Sequence, residues 1–302
     1  MTGTRAGEIY TPESVAACEM ALRTLIRGIG PWGTRLVLVG GMAPRYLISD
    51  PPAHIGPHPG TTDLDVVVKI AVDPEEECYL SLAKNLKDCG FGPERHDGAT
   101  SSFRWERDVG GVTVHLAFLC PLAKDGTPGS IRKQLGPKVG AKVGAIQIAG
   151  AEHVDRDHVQ VDIHGDLLDG RGRCDDPIML RVAGVASLLM LKCLAMRDRI
   201  KDKDPFDIVW LLSAFPGGPV AAAAHVRASP IAGESDLFKA VSWLRLKFAS
   251  IENEGPSAFA RFTSGMRAPN QESDSEEAMR LRRDALGTVQ AFLGEWDRLA
   301  GQ

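Results

Sequence analysis

Two apolar stretches that flank a glycine turn constrain the fold of this chain more than any other feature. Residues 35–39 read Arg-Leu-Val-Leu-Val, Gly40 and Gly41 follow, and residues 42–48 have a helix-like composition. After a loop, residues 61–68 read Thr-Thr-Asp-Leu-Asp-Val-Val-Val, which is rich in β-branched residues. This order predicts a strand, a turn that opens a short helix, a loop and a second strand.

The second predicted strand carries two carboxylates on one face. Because side chains alternate along a strand, Asp63 and Asp65 face one way while Leu64 and Val66 face the other. Two acids on one face do little for stability. They are suited to binding Mg²⁺, which is usually held by one or two carboxylates together with phosphate oxygens. Backbone N–H groups at a glycine turn that opens a helix attract phosphate. The pattern therefore predicts a site for magnesium and a phosphate-bearing ligand.

Composition is that of an ordinary globular protein. Of the 302 residues, 44% are apolar and 25% are charged, so we expect a buried core in one large or two medium domains. The net charge of −4 excludes a general attraction to nucleic acid, and any polynucleotide site has to come from a local patch. The six cysteines form no Cys-x-x-Cys pair, and the sequence has neither a signal segment nor an apolar run of about 20 residues. We expect a cytoplasmic protein with free thiols and no membrane partner.

Further elements follow from local spacing. Thr11 and Pro12 begin a helix that extends to Gly28. Residues 50–62 form a proline-rich loop. Its histidines, His54 and His58, are four residues apart, but the loop provides no helical face from which both could bind a zinc ion.

The middle of the chain reads as a helix over 74–89, an antiparallel pair over 102–106 and 112–119, and short strands over 145–149 and 159–163. Residues 121–145 are rich in Gly, Pro and Lys and form either a solvated loop or a basic flap over a phosphate backbone. Helix formers dominate after about Pro177, so we expect a first domain over 1–176 and a helical domain over 177–302.

A second group of polar residues lies in the helical part. Residues 182–196 predict a nearly all-apolar buried helix with one internal charge, Lys192, whose ammonium must either meet an anion or extend to solvent. Asp204 precedes Pro205 and is predicted to cap a new helix, whereas Asp207 is open to both a capping and a functional interpretation.

Together the two groups resemble AbiEii-type nucleotidyltransferases, the toxin components of abortive-infection toxin–antitoxin systems and their relatives. The resemblance covers roughly residues 35–215. It implies an α+β fold in which a polymerase-β-like nucleotidyltransferase core with a mixed sheet precedes a C-terminal helical domain.

The resemblance also implies roles for individual residues. The glycine turn corresponds to Gly40 and Gly41, the metal-binding acids to Asp63 and Asp65, and the remaining active-site pair to Lys192 and Asp207. The flanking motif positions are Thr61, Arg199, Lys203 and Asp204. The implied reaction moves a nucleoside monophosphate from an NTP to an acceptor hydroxyl with Mg²⁺ as cofactor. The implied partners are a tRNA 3′ end as acceptor and a cognate antitoxin protein.

The chain departs from the family pattern at two places. Pro59 and Gly60 stand where the family has an arginine before the aspartate strand. On the strand where related enzymes have a third acid, this chain has His115 and Ala117. Two acids can still hold one magnesium, whereas a full two-metal mechanism requires Asp162 or Glu106 to approach from another strand.

Two alternative functions remain open. The missing third acid is compatible with a degenerate nucleotidyltransferase that binds nucleotide or a partner without turnover. A metal-dependent hydrolase built on His153, His158, Asp162 and His164 is the other alternative, although these residues lack helical ligand spacing and read as scattered surface side chains.

Overall fold

The structure is a computed structural model that describes residues 10–68, 82–96, 98–132, 143–198, 201–267 and 276–301. It divides into two compact units. The sheet unit comprises Pro12–Ala43 and Gly60–Ala183, and the helical unit comprises Pro44–Pro59, Gly184–Gln302 and the described part of Met1–Thr11. The last division falls after Ala183, whereas composition changes at about residue 177.

The sheet unit is built on one mixed sheet. Its strands within the described residues are β1 (Leu36–Val39), β2 (Asp63–Val68), β3 (Gly92–His96), β4 (Ala99–Val109), β5 (Val112–Pro121), β6 (Ile131–Arg132), β7 (Ala145–Ile148), β8 (His158–Asp166) and β9 (Arg173–Ala183). The main order is β3-β4-β5-β2-β1-β9-β8, and β7 pairs with both β5 and β6. Strand β2 runs antiparallel to β1 and parallel to β5, and β1 runs parallel to β9. Parallel and antiparallel pairs together confirm the predicted α+β class with a mixed sheet.

Several local predictions for this unit are confirmed. Strands β4 and β5 form the expected antiparallel pair, and the turn between them contains Gly110 and Gly111 at positive φ. Helix α1 (Pro12–Gly28) has the predicted bounds and packs against the sheet, burying Cys18, Leu22 and Leu25 completely. After Gly40–Met42, which forms a 3-10 turn, comes α2 (Ala43–Leu47).

Two predicted segments are described only in part. Helix α3 (Leu82–Asp88) lies within the predicted helix 74–89, of which residues 74–81 are outside the described residues. Of the basic stretch 121–145, residues 133–142 are outside them, while Lys124 lies in a turn and Arg132 in β6.

The helical unit consists mainly of helices from Val185 onward. Those within the described residues are α4 (Val185–Asp198), α5 (Lys203–Ala214), α6 (Gly218–Arg227), α7 (Ser235–Lys247), α8 (Glu254–Arg267) and α9 (Glu276–Ala300). Across the described segments no single helix is long and apolar enough to cross a membrane. Helices α5 and α6 taken together are long and apolar enough, but the chain bends by 97° between them.

The predicted start of the buried helix at residue 182 is wrong. Val182 and Ala183 belong to β9, where Val182 pairs with Leu38 and Ala183 with His158. Gly184 separates this strand from α4, which begins at Val185. The apolar run is continuous across the junction because a buried strand and a buried helix need the same residue types, so polarity could not mark the change.

The glycine turn between β1 and α2 is fixed by backbone conformation and by close packing. Gly40 has a φ of +69°, which side-chain-bearing residues rarely adopt. A Cβ atom at this position would lie 2.4 Å from Oδ2 of Asp65. The register agrees, because Val39, which precedes the glycine, pairs with Asp65 across the β1–β2 ladder. Gly40 therefore makes room for the carboxylate that the neighbouring strand presents.

We predict that Gly40→Ala lowers the free energy of unfolding by about 2–4 kcal/mol, because backbone strain and a clash with Asp65 add together. Gly110→Ala is the matched control, since Gly110 has a φ of +61° but no atom within 4 Å of an added Cβ. It should cost only the backbone part, about 1–2 kcal/mol. Urea unfolding of both variants measures the difference, and equal losses would show that the Asp65 contact contributes nothing.

Candidate functional site

In the sheet unit, strand β2 presents the two predicted acids as the alternation requires. Leu64 and Val66 are buried at 0% and 1% exposure, while Asp63 and Asp65 are half-buried. Asp65 lies against Gly40, and the backbone N–H of Asp63 donates to Oγ1 of Thr61 at 3.2 Å. Thr61 is therefore a buried residue that orders the start of the strand. The sheet unit thus brings together the glycine turn and the residues expected to bind metal.

The strand beside β2 explains where further acids can come from. Asp63 pairs in register with His115 of β5, and His115 pairs with Glu106 of β4, so these side chains share one face of the sheet. Glu106 is therefore on the same face as the aspartates, two strands away. Asp162, the other alternative for a third acid, is remote from the aspartates, because it lies on β8 and pairs with Met179, with β1 and β9 between β8 and β2. At a strand spacing of about 4.8 Å this separation is roughly 14 Å.

Two charged residues that the sequence did not single out complete this face. The Glu94 carboxylate lies 3.3 Å from Nδ1 of His115 through Oε1 and 3.5 Å from Nε of Arg104 through Oε2. Arg104 also lies 3.8 Å from Oδ1 of Asp63 through Nη2. Glu94 and Arg104 occupy strands whose polar alternation is typical of any half-solvated sheet, so only the register identifies them as neighbours of Asp63.

The residues of the alternative hydrolase site are not assembled. Nδ1 of His153 contacts Nη2 of Arg156 at 2.9 Å. Nδ1 of His158 and Nδ1 of His164 contact the backbone carbonyl oxygens of Asp155 and Asp175, at 2.9 and 3.2 Å. Among the described segments these histidines and Asp162 do not form a group of ligand atoms within reach of one ion.

In the helical unit, the ammonium of Lys192 is buried between carboxylates. Its Nζ lies 2.8 Å from Oδ1 of Asp204 and 2.6 Å from Oδ2 of Asp207, and the residue is only 8% exposed. The sequence left two possibilities for this ammonium, contact with an anion or extension to solvent, and the structure shows contact with anions. Lys203, one turn before Asp207 on α5, adds a second ammonium at 2.6 Å from Oδ1 of Asp207.

The predicted capping role of Asp204 is wrong. Helix α5 begins at Lys203, so Asp204 already lies in its first turn, and its carboxylate binds Lys192. The residue at the cap position is Asp202, which makes no side-chain capping bond and pairs instead with Arg261 at 2.7 Å. Asp207 lies further inside the helix at 1% exposure, so capping is excluded for it too. Arg199 is outside the described residues.

His58 joins this network from the proline-rich loop. Its Nε2 lies 2.9 Å from Oδ1 of Asp207, and its ring packs edge-on against Trp210 with 4.8 Å between ring centroids. Nη1 of Arg45 donates to the His58 carbonyl at 2.5 Å, and Nε1 of Trp210 donates to the Gly56 carbonyl at 3.2 Å. The loop is thus held on α5. The exposed His54 takes no part in this network. The only sequence signal for the role of His58 was its position between two prolines.

Burial and neighbouring charges fix the protonation states of this network. Burial alone would raise the pKa of Asp207, but Lys192 and Lys203 outweigh it and hold that pKa well below its usual range. Burial alone would lower the pKa of Lys192, but Asp204 and Asp207 outweigh it and raise that pKa. Burial lowers the pKa of Lys203. Burial, then repulsion by Lys203, lowers the pKa of His58 to about 4, so neutral His58 donates its Nε2–H to Asp207.

We predict that Lys192→Met lowers the free energy of unfolding by about 3–5 kcal/mol, because it leaves two buried carboxylates without this partner. Lys84→Met is the matched control, since the Lys84–Asp88 pair is 75% and 52% exposed. Removing that pair should change stability by less than about 1 kcal/mol. Urea unfolding at neutral pH compares the two variants. Similar small losses in both would contradict a buried network in the helical unit.

We also predict that stability falls as the pH drops from 6.5 towards 4. The pKa of His58 is 6.5 in the unfolded chain and about 4 in the folded one, so the unfolded state binds the proton first. The stability lost across this window is about 3 kcal/mol.

Urea unfolding at the two ends of this window tests the prediction. The loss should be smaller in His58→Gln, which cannot titrate, and unchanged in His164→Gln, whose side chain is exposed. An equal loss in the wild type and in His58→Gln would assign the pH dependence to other groups.

Comparisons with known proteins assign this chain to no family. No protein-family model matches the sequence, and no curated protein is significantly similar to it. The resemblance to AbiEii-type nucleotidyltransferases therefore remains a hypothesis that the motif residues alone support.

Proposed function

We propose that this protein is a magnesium-dependent nucleotidyltransferase that moves a nucleoside monophosphate from an NTP to an acceptor hydroxyl. One observation carries the proposal. Gly40, at a φ of +69° with no room for a Cβ, lies against the Asp65 carboxylate at the junction of β1 and β2. A glycine turn packed on an Asp-x-Asp strand is the arrangement expected where backbone N–H groups and a metal both contact a phosphate chain.

The proposed core is polymerase-β-like. The antiparallel β1–β2 pair, with β5 running parallel to β2, agrees with the mixed sheet that the resemblance implies. Asp63 and Asp65 fit the needs of magnesium, because they offer hard oxygen ligands on one face and the Asp63 side chain is 46% exposed. When bound there, Mg²⁺ would supply charge neutralisation on the triphosphate.

The reaction itself is a displacement at phosphorus. A bond forms between the acceptor oxygen and the α-phosphorus, the bond from that phosphorus to the pyrophosphate oxygen breaks, and the hydroxyl proton passes to solvent or a base. Among this chain's own groups, Gly40, Gly41 and Thr61 would position the phosphates and the strand that carries the acids. Catalysis of this class depends mainly on positioning and electrostatic stabilisation.

The helical unit holds the other two residues to which the resemblance gives a role, Lys192 and Asp207. The resemblance implies that Lys192 neutralises charge on the triphosphate or pyrophosphate and that Asp207 orients Lys192. Asp207 does lie 2.6 Å from the lysine ammonium, which agrees with an orienting role. However, Lys192 is only 8% exposed and is already compensated by Asp204 and Asp207. Contact between Lys192 and a nucleotide phosphate would therefore compete with these two ion pairs.

We further propose a tRNA 3′ end as acceptor and a toxin role with a cognate antitoxin, on the resemblance alone. A second candidate is a degenerate nucleotidyltransferase that binds nucleotide or a partner without turnover. One observation favours it, because the β5 residues in register with Asp63 and Asp65 are His115 and Ala117, and neither is a carboxylate.

We predict that the purified protein with Mg²⁺, each of four labelled NTPs in turn and total tRNA transfers label to RNA. Asp65→Asn should lower the transfer rate by at least about 100-fold, since the metal-binding carboxylate is lost. Asp162→Asn is the control, because Asp162 lies on β8 across the sheet and should leave the rate unchanged.

Three outcomes change the proposal in different ways. Label in protein would keep the chemistry but change the acceptor. No transfer with intact NTP binding would favour the degenerate binding module. Transfer at the wild-type rate by Asp65→Asn would overturn the assignment of the site.

A further inference from the structure

We propose that Glu94, Glu106 and His115 form a binding site for a divalent transition-metal ion, distinct from the Asp63–Asp65 pair. One ligand atom from each of these three side chains lies within 4.8 Å of the other two. All three belong to the sheet unit and are partly buried. A spacing of this size is close enough for one ion to contact the three atoms after small side-chain movements.

Three neighbouring strands bring these ligands together. Glu106 of β4 and His115 of β5 are directly opposed across an antiparallel ladder, so their side chains are adjacent on the same face. Glu94 comes from β3, where the register against β4 shifts between Pro93 and Arg95. Such an irregularity redirects side chains locally, and here it places Glu94 beside His115. The site is therefore built on rigid elements and not on a loop.

The ligand atoms have few competing contacts. Nδ1 of His115 is buried without a hydrogen-bond partner and lies 3.3 Å from Oε1 of Glu94. Within the described part of the chain, the half-buried Glu106 carboxylate makes no hydrogen bond or ion pair. A polar atom buried without a partner is costly, and a bound cation would satisfy the imidazole nitrogen and the carboxylate at once.

The donor set selects the class of metal. One imidazole nitrogen and two carboxylates suit Zn²⁺ and similar first-row ions, whereas magnesium prefers oxygen ligands only. Three protein ligands also leave coordination positions open, as in metal sites that bind water or substrate. The site does not depend on the proposed reaction, because its ligand set includes neither Asp63 nor Asp65, although Glu106 lies on the same face of the sheet as both.

Arg104 is the competing charge at this site. Its Nε lies 3.5 Å from Oε2 of Glu94, which is too long for a strong hydrogen bond, and its Nη2 lies 3.8 Å from Oδ1 of Asp63. The positive charge of the guanidinium therefore weakens the attraction of this site for a cation. Removing this charge should therefore strengthen metal binding. If the residues formed only an ion-pair cluster, removing Arg104 would delete contacts without increasing the affinity for metal.

Calorimetric titration of Zn²⁺ into the full chain tests the site. We expect one ion per chain in the wild type, and at least about tenfold weaker binding in His115→Ala and in the isosteric Glu106→Gln. Arg104→Met should bind Zn²⁺ more tightly than the wild type. His164→Ala, which removes an exposed histidine on β8, is the matched control and should bind as the wild type does.

Two results would overturn the proposal. If His115→Ala and Glu106→Gln bind Zn²⁺ with wild-type affinity, the three residues form only a polar cluster. If Asp65→Asn weakens Zn²⁺ binding as much as His115→Ala does, the ion lies at the aspartate pair.

Thermal unfolding checks that each variant is folded, and Glu106→Gln keeps the test valid should His115→Ala fail to fold. Loss of nucleotidyl transfer in Asp65→Asn with Zn²⁺ binding intact separates this proposal from the proposed function.

Discussion

The helical unit depends on how it compensates one buried ammonium. Lys192 lies in an apolar helix, where an isolated charge would be too costly to bury, and the carboxylates of Asp204 and Asp207 make its burial possible. These carboxylates are in turn buried, so Lys203 and His58 satisfy what Lys192 leaves open on Asp207. The result is two ammonium groups, two carboxylates and a neutral imidazole. Such a balance requires α4, the first turns of α5 and the proline-rich loop to be in place together.

The sheet unit uses a different constraint for its own polar residues. There the acids remain half-exposed, and a steric requirement fixes their place, since Gly40 can approach Asp65 only because it has no side chain. The buried network is thus set by electrostatics and the acidic face by backbone geometry. This difference matches the chemistry that each can perform, because a partly solvated carboxylate can bind a cation from solution, whereas a fully compensated one cannot do so without breaking its ion pairs.

The sequence predicted those features that depend on local alternation or turn chemistry. Strand β2 with its paired acids, the β4–β5 hairpin at Gly110–Gly111 and helix α1 all follow from such patterns. Contacts between distant segments were not predictable in this way. Glu94 reaches His115 through the register of three strands, and His58 reaches Asp207 across 149 residues. Asp204 was misassigned as a cap because its position before Pro205 has the same appearance whether its carboxylate turns to the backbone or to Lys192.

The contact between His58 and Asp207 also bears on how the chain folds. Joining two residues 149 positions apart closes a long loop, with an entropy cost of about 4 kcal/mol. During synthesis the proline-rich loop is made early, yet its partner on α5 emerges only after the whole of the sheet unit has been translated. A fragment that begins at Gly184 would contain every helix from α4 onward but not the histidine that Asp207 binds. The helical unit is therefore discontinuous in sequence. A single cut after the sheet unit would not release it as an independent folding unit, because the proline-rich loop would be left behind.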